Sequence, residues 1–232
     1  MTESFLSTRN LFPTETPAKP AELNPTEPTV GEVVETSLTG FMAHTYKLDE
    51  PPPFGGLVRV RDRAGNNEIF GAVYHIATGG LDPGRRAATR GGGLPAKSDE
   101  QVYIDNPQLS RLLKTEFGVL VLGCSKVTSS GRRSFSYVFP DYPPPLHYSV
   151  TLCSDATLVA FTEDKSYLRA ILEAPQVPAE ELIAAILRRA TRAREAAGRM
   201  FLVESLRYLA RTLKQDYDRF KIIVEKCEGA QV

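Results

Sequence analysis

The chain has 232 residues, enough for one or two domains with a sizeable buried core. Lys plus Arg equals Asp plus Glu at 28 each, so no global charge draws the protein to nucleic acid or an anionic membrane, and any such affinity needs a local patch. Three cysteines (Cys124, Cys153, Cys227) without a CxxC and three scattered histidines (His44, His75, His147) exclude a sequence-evident zinc site or disulfide framework.

In chain order, residues 1–30 carry Pro13, Pro17, Pro20, Pro25 and Pro28 among Thr and Glu, the composition of a disordered tail. Phe5, Leu6, Leu11 and Phe12 are its only cluster of large apolar residues, and they read either as plain tail or as a short docking motif. The tail lacks a basic region followed by an apolar core, so no secretory signal is expected and a reducing cytoplasm is the default. No apolar run approaches the roughly 20 residues of a membrane span.

From Gly31 the texture changes to β-branched and aromatic alternation, predicting strands over residues 32–36, 40–46, 57–61, 68–76, 118–125, 134–139 and 147–153. In Leu57–Arg61 (LVRVR) period two puts Leu57, Arg59 and Arg61 on one face and Val58 and Val60 on the other. Gly71 inside a strand predicts a bulge or a close backbone approach. Residues 118–125 (GVLVLGCS) form the most apolar strand and predict a central, doubly covered position. Cys124 and Cys153, in apolar runs, are expected to be small buried hydrophobes. Seven short strands separated by Pro and Gly predict a small closed barrel, since closure removes exposed edges.

One helix is expected among the strands, from Asn106-Pro107 through Glu116, with Leu109, Leu112 and Leu113 on one face. The C-terminal part is predicted helical: residues 165–173, then 179 to about 228 with a break near Gly198. One stripe there runs through Leu182, Ile186, Ala190, Ala193, Ala197 and Met200. Another runs through Leu202, Leu206, Leu209, Leu213, Phe220 and Val224, and either packs on the barrel and the neighbouring helix or forms an oligomerisation or partner-binding face. The expected class is α+β: a tail (residues 1–30), an antiparallel β-barrel (31–160) and a C-terminal helical region (161–232).

Several of these segments together resemble the HerA–ATP synthase barrel, or HAS-barrel, family. The opening Gly31-Glu32-Val33-Val34, then Gly56-Leu57-Val58-Arg59-Val60 and Ile69-Phe70-Gly71-Ala72-Val73, follow its pattern. Ile104-Asp105-Asn106-Pro107-Gln108-Leu109 with Phe117-Gly118-Val119-Leu120-Val121-Leu122-Gly123 resembles the helix and strand after its first hairpins, and Pro143-Pro144-Pro145-Leu146-His147 the segment leading out of the barrel. The resemblance spans residues 31–160. It implies a barrel that does no chemistry but presents a surface: in HerA-type proteins it lies on a hexameric ring ATPase and contacts a partner nuclease. The departure from that pattern is the missing motor sequence after the barrel, so the expectation is an assembly module that binds a protein partner, a HerA-type ring ATPase or a second copy of itself.

The residues themselves offer little catalysis. Residues 91–98 (GGGLPAKS) read as GxxxxAKS, one position from a phosphate-binding loop. Ala96 replaces the second glycine, no strand precedes Gly91, and residues 101–104 read as extended where a helix is needed, so no ATP or other cofactor is expected. The same loop has an electrostatic reading: Arg85, Arg86, Arg90 and Lys97 lie in residues 83–98 without an acid, either a solvated insertion or a nucleic-acid contact working with the barrel face. Arg188, Arg189, Arg192, Arg194 and Arg199 form a second basic cluster, diluted by Glu180, Glu181 and Glu195 and without interleaved aromatics. Asp141 and His147 lie near Tyr142 and Tyr148 without a nucleophile motif, and Glu163-Asp164 reads as a helix-start charge pair. No catalytic or metal-ligating residues are assigned.

Overall fold

A computed structural model describes residues 27–65, 67–82, 89–90, 98–127 and 133–228. The class is α+β, a closed six-stranded antiparallel barrel with a helical region after it. The strands are β1 (Thr29–Thr36), β2 (Gly40–Thr45), β3 (Leu57–Arg61), β4 (Asn67–Gly80), β5 (Leu113–Val127), β6 (Arg133–Ser136) and β7 (Ser149–Leu152). Around the barrel they run β1–β2–β5–β4–β3–β7 and back to β1. The closing pair is β2–β5, in register from Gly40 opposite Leu120 to His44 opposite Glu116. β6 stands outside the ring, paired only to the end of β5.

Period two sorts the strand residues between two cores. Val33, Val58, Val60, Ile69, Val73, Phe117, Val119, Val121 and Val150 fill the lumen with the side chains of Phe41 and Ala43. Leu57, Phe70, Ala72, Leu120 and Leu122 point outward, where a helical layer covers them. Gly71 sits where β4 and β5 approach closely. The ladder shifts register between Phe70 and Gly71, and a Cβ on Gly71 would meet Val119 Cγ1 at 2.4 Å and the Leu120 carbonyl oxygen at 2.5 Å.

That helical layer comprises α3 (Asp155–Phe161), α4 (Tyr167–Leu172), α5 (Ala179–Ala193), α6 (Gly198–Thr212) and α7 (Tyr217–Glu228). Phe161 locks it to the sheet. Its ring lies 5.5 Å from Phe70, 5.4 Å from Phe135, 5.2 Å from Tyr137 and 5.8 Å from Tyr167. Such aromatic packing adds about 0.5–1.5 kcal/mol per pair beyond the area it buries. The expected break at Gly198 is present: α5 ends at Ala193, a 3-10 turn (Glu195–Ala197) follows, and α6 begins at Gly198. A Cβ at Gly198 would sit 2.1 Å from the Thr191 carbonyl oxygen, so glycine lets α6 fold back against the end of α5.

The expected helix over residues 106–116 is corrected. Only α2 (Leu109–Leu112) is helical, and Leu113–Glu116 join β5, where pairing with β4 from Leu113 opposite Gly80, and with β2 at Glu116, outweighs local propensity. The extended reading of residues 101–104 is also corrected: they lie in α1 (Asp99–Asp105). Ser98 accepts from the Gln101 N–H at 3.3 Å, and Gln101 donates to Asp105 at 2.7 Å. This S-x-x-Q capping pattern overrides the strand preference of Val102, Tyr103 and Ile104. Cys124 and Cys153 are half-buried rather than buried; Cys227 is the one inside the core.

Gly198→Ala is expected to cost about 1–3 kcal/mol of stability through overpacking against Thr191. Gly79→Ala, where a Cβ would meet nothing within 4 Å, is expected to stay within about 0.5 kcal/mol. Urea unfolding midpoints of the two variants check the contrast.

Candidate interaction surfaces

The most polar buried site is structural. Arg59, on the outer face of β3, donates from Nε and Nη2 to Glu27 Oε2 at 3.0 and 2.8 Å, and from Nη1 to Glu68 on β4. Glu27 Oε1 accepts from the Ser154 N–H at 2.9 Å, the Ser154 hydroxyl at 2.7 Å and the Thr157 hydroxyl at 2.7 Å. Ser154 is also the N-cap of α3, so one carboxylate joins the chain before β1 to β3 and to the first helix of the layer. Burial raises the Glu27 carboxyl pKa, but the five donors outweigh it and hold the group at about 2. Nothing in the sequence pattern near Glu27 reveals this; the one signal is that Arg59 lies mid-strand, sharing a face with Leu57 and Arg61.

Two of the thiols, Cys124 and Cys227, are poor nucleophiles. Burial pushes Cys124 above its ordinary value and Cys227 to about 11, which disfavours the thiolate. Burial likewise pushes Tyr137 to about 12, with Asp164 and Glu163 adding to it, and its hydroxyl donates to the Phe161 carbonyl at 2.5 Å. Asp141 and His147 are not shown to meet: His147 Nδ1 lies 2.6 Å from Glu32 Oε1, while Asp141 lines a cavity with Cys124 and Lys126. Asp164 accepts from the Ser166 N–H at 2.7 Å just ahead of α4, in keeping with its reading as a helix-start acid. Among the described residues no three His, Cys, Asp or Glu side chains form a group that could hold a metal ion, and no helix is long and apolar enough to cross a membrane.

Three of the helix arginines tie elements together, and Arg192 bonds within α5. Arg188 donates to the Lys226 carbonyl at 2.5 Å, Arg189 to the Phe54 carbonyl at 3.3 Å, and Arg192 to the Arg188 carbonyl at 3.4 Å. Arg194 donates to the Val159 carbonyl at 2.7 Å and lies 3.8 Å over the Phe201 ring. Of the basic loop, Arg85, Arg86 and Lys97 lie outside the described residues. Arg90 is exposed and donates to Asn106 at 3.2 Å. The apolar stripe of α6 and α7 faces inward: Leu209 and Leu213 are in the helical core, Leu202, Leu206 and Phe220 pack partly buried against it, and Val224 is half-buried. The other stripe leaves the core after Ala190, and Met200 is exposed.

Two exposed apolar surfaces stand out among the described residues, neither of them singled out by sequence periodicity. The first is at the end of the β4–β5 ribbon. Leu81, Tyr103, Ile104 and Leu112 are about half exposed or more, at 55%, 47%, 69% and 50%. The Leu81 N–H donates to the Leu112 carbonyl, and Tyr103 reaches Asp49, whose N–H bonds to Thr115. The second is a cleft of about 740 Å³ where β5 changes partner from β2 to β6. Its walls are Leu120, Leu122, Tyr137, Val138 and Phe139 on the sheet side and Ala170, Ala174 and Pro175 on the α4 side. Arg169 and Glu173 at its rim bond to each other at 2.8 Å.

No family model matches the chain, and no curated protein matches it.

Arg59→Ala would leave Glu27 buried without its cation, and is expected to cost about 3–5 kcal/mol by chemical denaturation. Because the folded carboxyl of Glu27 titrates near 2 and an ordinary glutamate near 4.5, its contribution is complete above about pH 4.5 and is lost as pH falls toward 2. Glu27→Gln should therefore lower stability at neutral pH and flatten the loss between pH 4.5 and 2, read from unfolding curves across that range.

Proposed function

We propose that the chain is a non-enzymatic assembly module that binds a protein partner through its barrel, the partner being a HerA-type ring ATPase or a second copy of the chain. The observation that carries this reading is the ribbon end, where Leu81, Tyr103, Ile104 and Leu112 present large apolar side chains to solvent. Exposed apolar patches mark contact sites, and here Leu81 and Leu112 are neighbours joined by a backbone hydrogen bond. The sequence resemblance to HAS-barrels supports the same role. The raised pKa of the Cys124 and Cys227 thiols and the structural use of the buried Glu27 carboxylate fit a surface-presenting barrel better than a catalyst.

Mass measurement of the purified chain, alone and mixed with a HerA-type ATPase from the same genome, tests this. A complex is expected, and Ile104→Asp with Leu112→Asp should weaken it by about tenfold or more, as the loss of buried apolar anchors does. A clean monomer that binds neither overturns the reading.

A second reading, nucleic-acid binding by the barrel face and the loop carrying Arg85, Arg86, Arg90 and Lys97, draws support from Arg90, which stands exposed beside α1 at the ribbon end. Replacing Arg85, Arg86 and Arg90 by Ala should then reduce the slope of log affinity against log salt by up to about 0.9 per lost phosphate contact. An unchanged slope removes the loop from the interface.

A further inference from the structure

The cleft beside α4 carries an inference independent of the reading above. We propose that residues 5–12 of the same chain dock in it, as an intramolecular ligand.

The cleft exists because β5 cannot serve two partners at one place. Its edge pairs with β2 as far as Leu120 and with β6 from Cys124 onward. Between these, the Val121 N–H bonds to the Thr39 carbonyl, and the chain after β6 swings away over the gap. The resulting volume lies within the roughly 300–1,000 Å³ typical of sites that enclose an apolar ligand. Val138 and Phe139 stand 62% and 54% exposed along its lip.

The chemistry of the walls selects the occupant. Arg169 and Glu173 neutralise each other, so the cleft offers no unmatched charge and suits an apolar, weakly charged segment. Residues 5–12, FLSTRNLF, supply four large apolar side chains, Phe5, Leu6, Leu11 and Phe12, and one charge, Arg9. They lie outside the described residues.

The anchor point favours this segment over a free partner. Glu27 is held by Arg59, Ser154 and Thr157 at the start of α3. Seven residues later α3 ends at Phe161, against Tyr137 in the cleft wall. A helix of that length spans about 10 Å. Phe12 precedes Glu27 by fifteen residues, with four prolines between them. Such a stretch reaches up to about 45 Å when extended, so the docking motif arrives at the cleft with slack to spare.

The absence of tryptophan from the chain gives a clean reporter. Phe12→Trp and, separately, Phe5→Trp are made in the full-length chain. In at least one of them the indole emission is expected to be blue-shifted and shielded from acrylamide, at every protein concentration. Adding Val138→Asp, an exposed position whose substitution leaves the core untouched, should return that emission to the solvated position. Solvated emission from both reporters overturns the proposal, as does a blue shift that survives Val138→Asp. A blue shift that appears only as protein concentration rises assigns the cleft to the segment of a second copy and overturns the intramolecular docking.

Discussion

The architecture depends on how β5 shares its edges. One edge pairs with β4 along nearly the whole strand, from Leu113 to Lys126. The other is divided, first to β2 and then to β6. The β2 pairing closes the barrel and so satisfies backbone groups that would otherwise face solvent at two sheet edges. The β6 pairing carries the sheet past the barrel. Closure therefore creates its own seam, and the apolar cleft at that seam follows from the topology rather than from any local sequence feature.

The second constraint is the outer face of β3, β4 and β5. A barrel this small has a narrow lumen, filled here by valines and a few larger side chains. Much of the apolar material therefore points outward and needs a cover, which α3 to α7 provide through Phe161 and the inward faces of α5 and α6. The outward face of the barrel and the helices share one continuous cluster, separate from the lumen.

Much of this was legible in the sequence where the signal was local and periodic. All seven strands, the facing of Val58 and Val60 into the lumen, the tight place at Gly71 and the break at Gly198 follow from alternation and from glycine placement. The misreadings share a cause, which is competition between neighbouring elements. Leu113–Glu116 have helical character but were captured by β4, with β2 joining at Glu116, and residues 101–104 have strand character but were captured by a Ser98 cap. Leu209 and Leu213 illustrate a different limit: spacing shows that a stripe exists, not which side of it is covered. The exposed surfaces at the ribbon end and on the lip of the cleft were invisible for the same reason. Leu81, Ile104, Val138 and Phe139 are ordinary apolar residues until tertiary structure leaves them uncovered.

The buried clasp around Glu27 has a consequence for whatever lies upstream of it. Because that carboxylate is fixed by five donors, Glu27 is a fixed point of the fold to which the chain before it is covalently tethered. A motif on such a leash meets nearby surface at an effective concentration on the order of millimolar. An untethered competitor present at micromolar levels would have to bind about a thousandfold more tightly to displace it, so even a feeble self-contact beside this fixed point would act as a threshold on access.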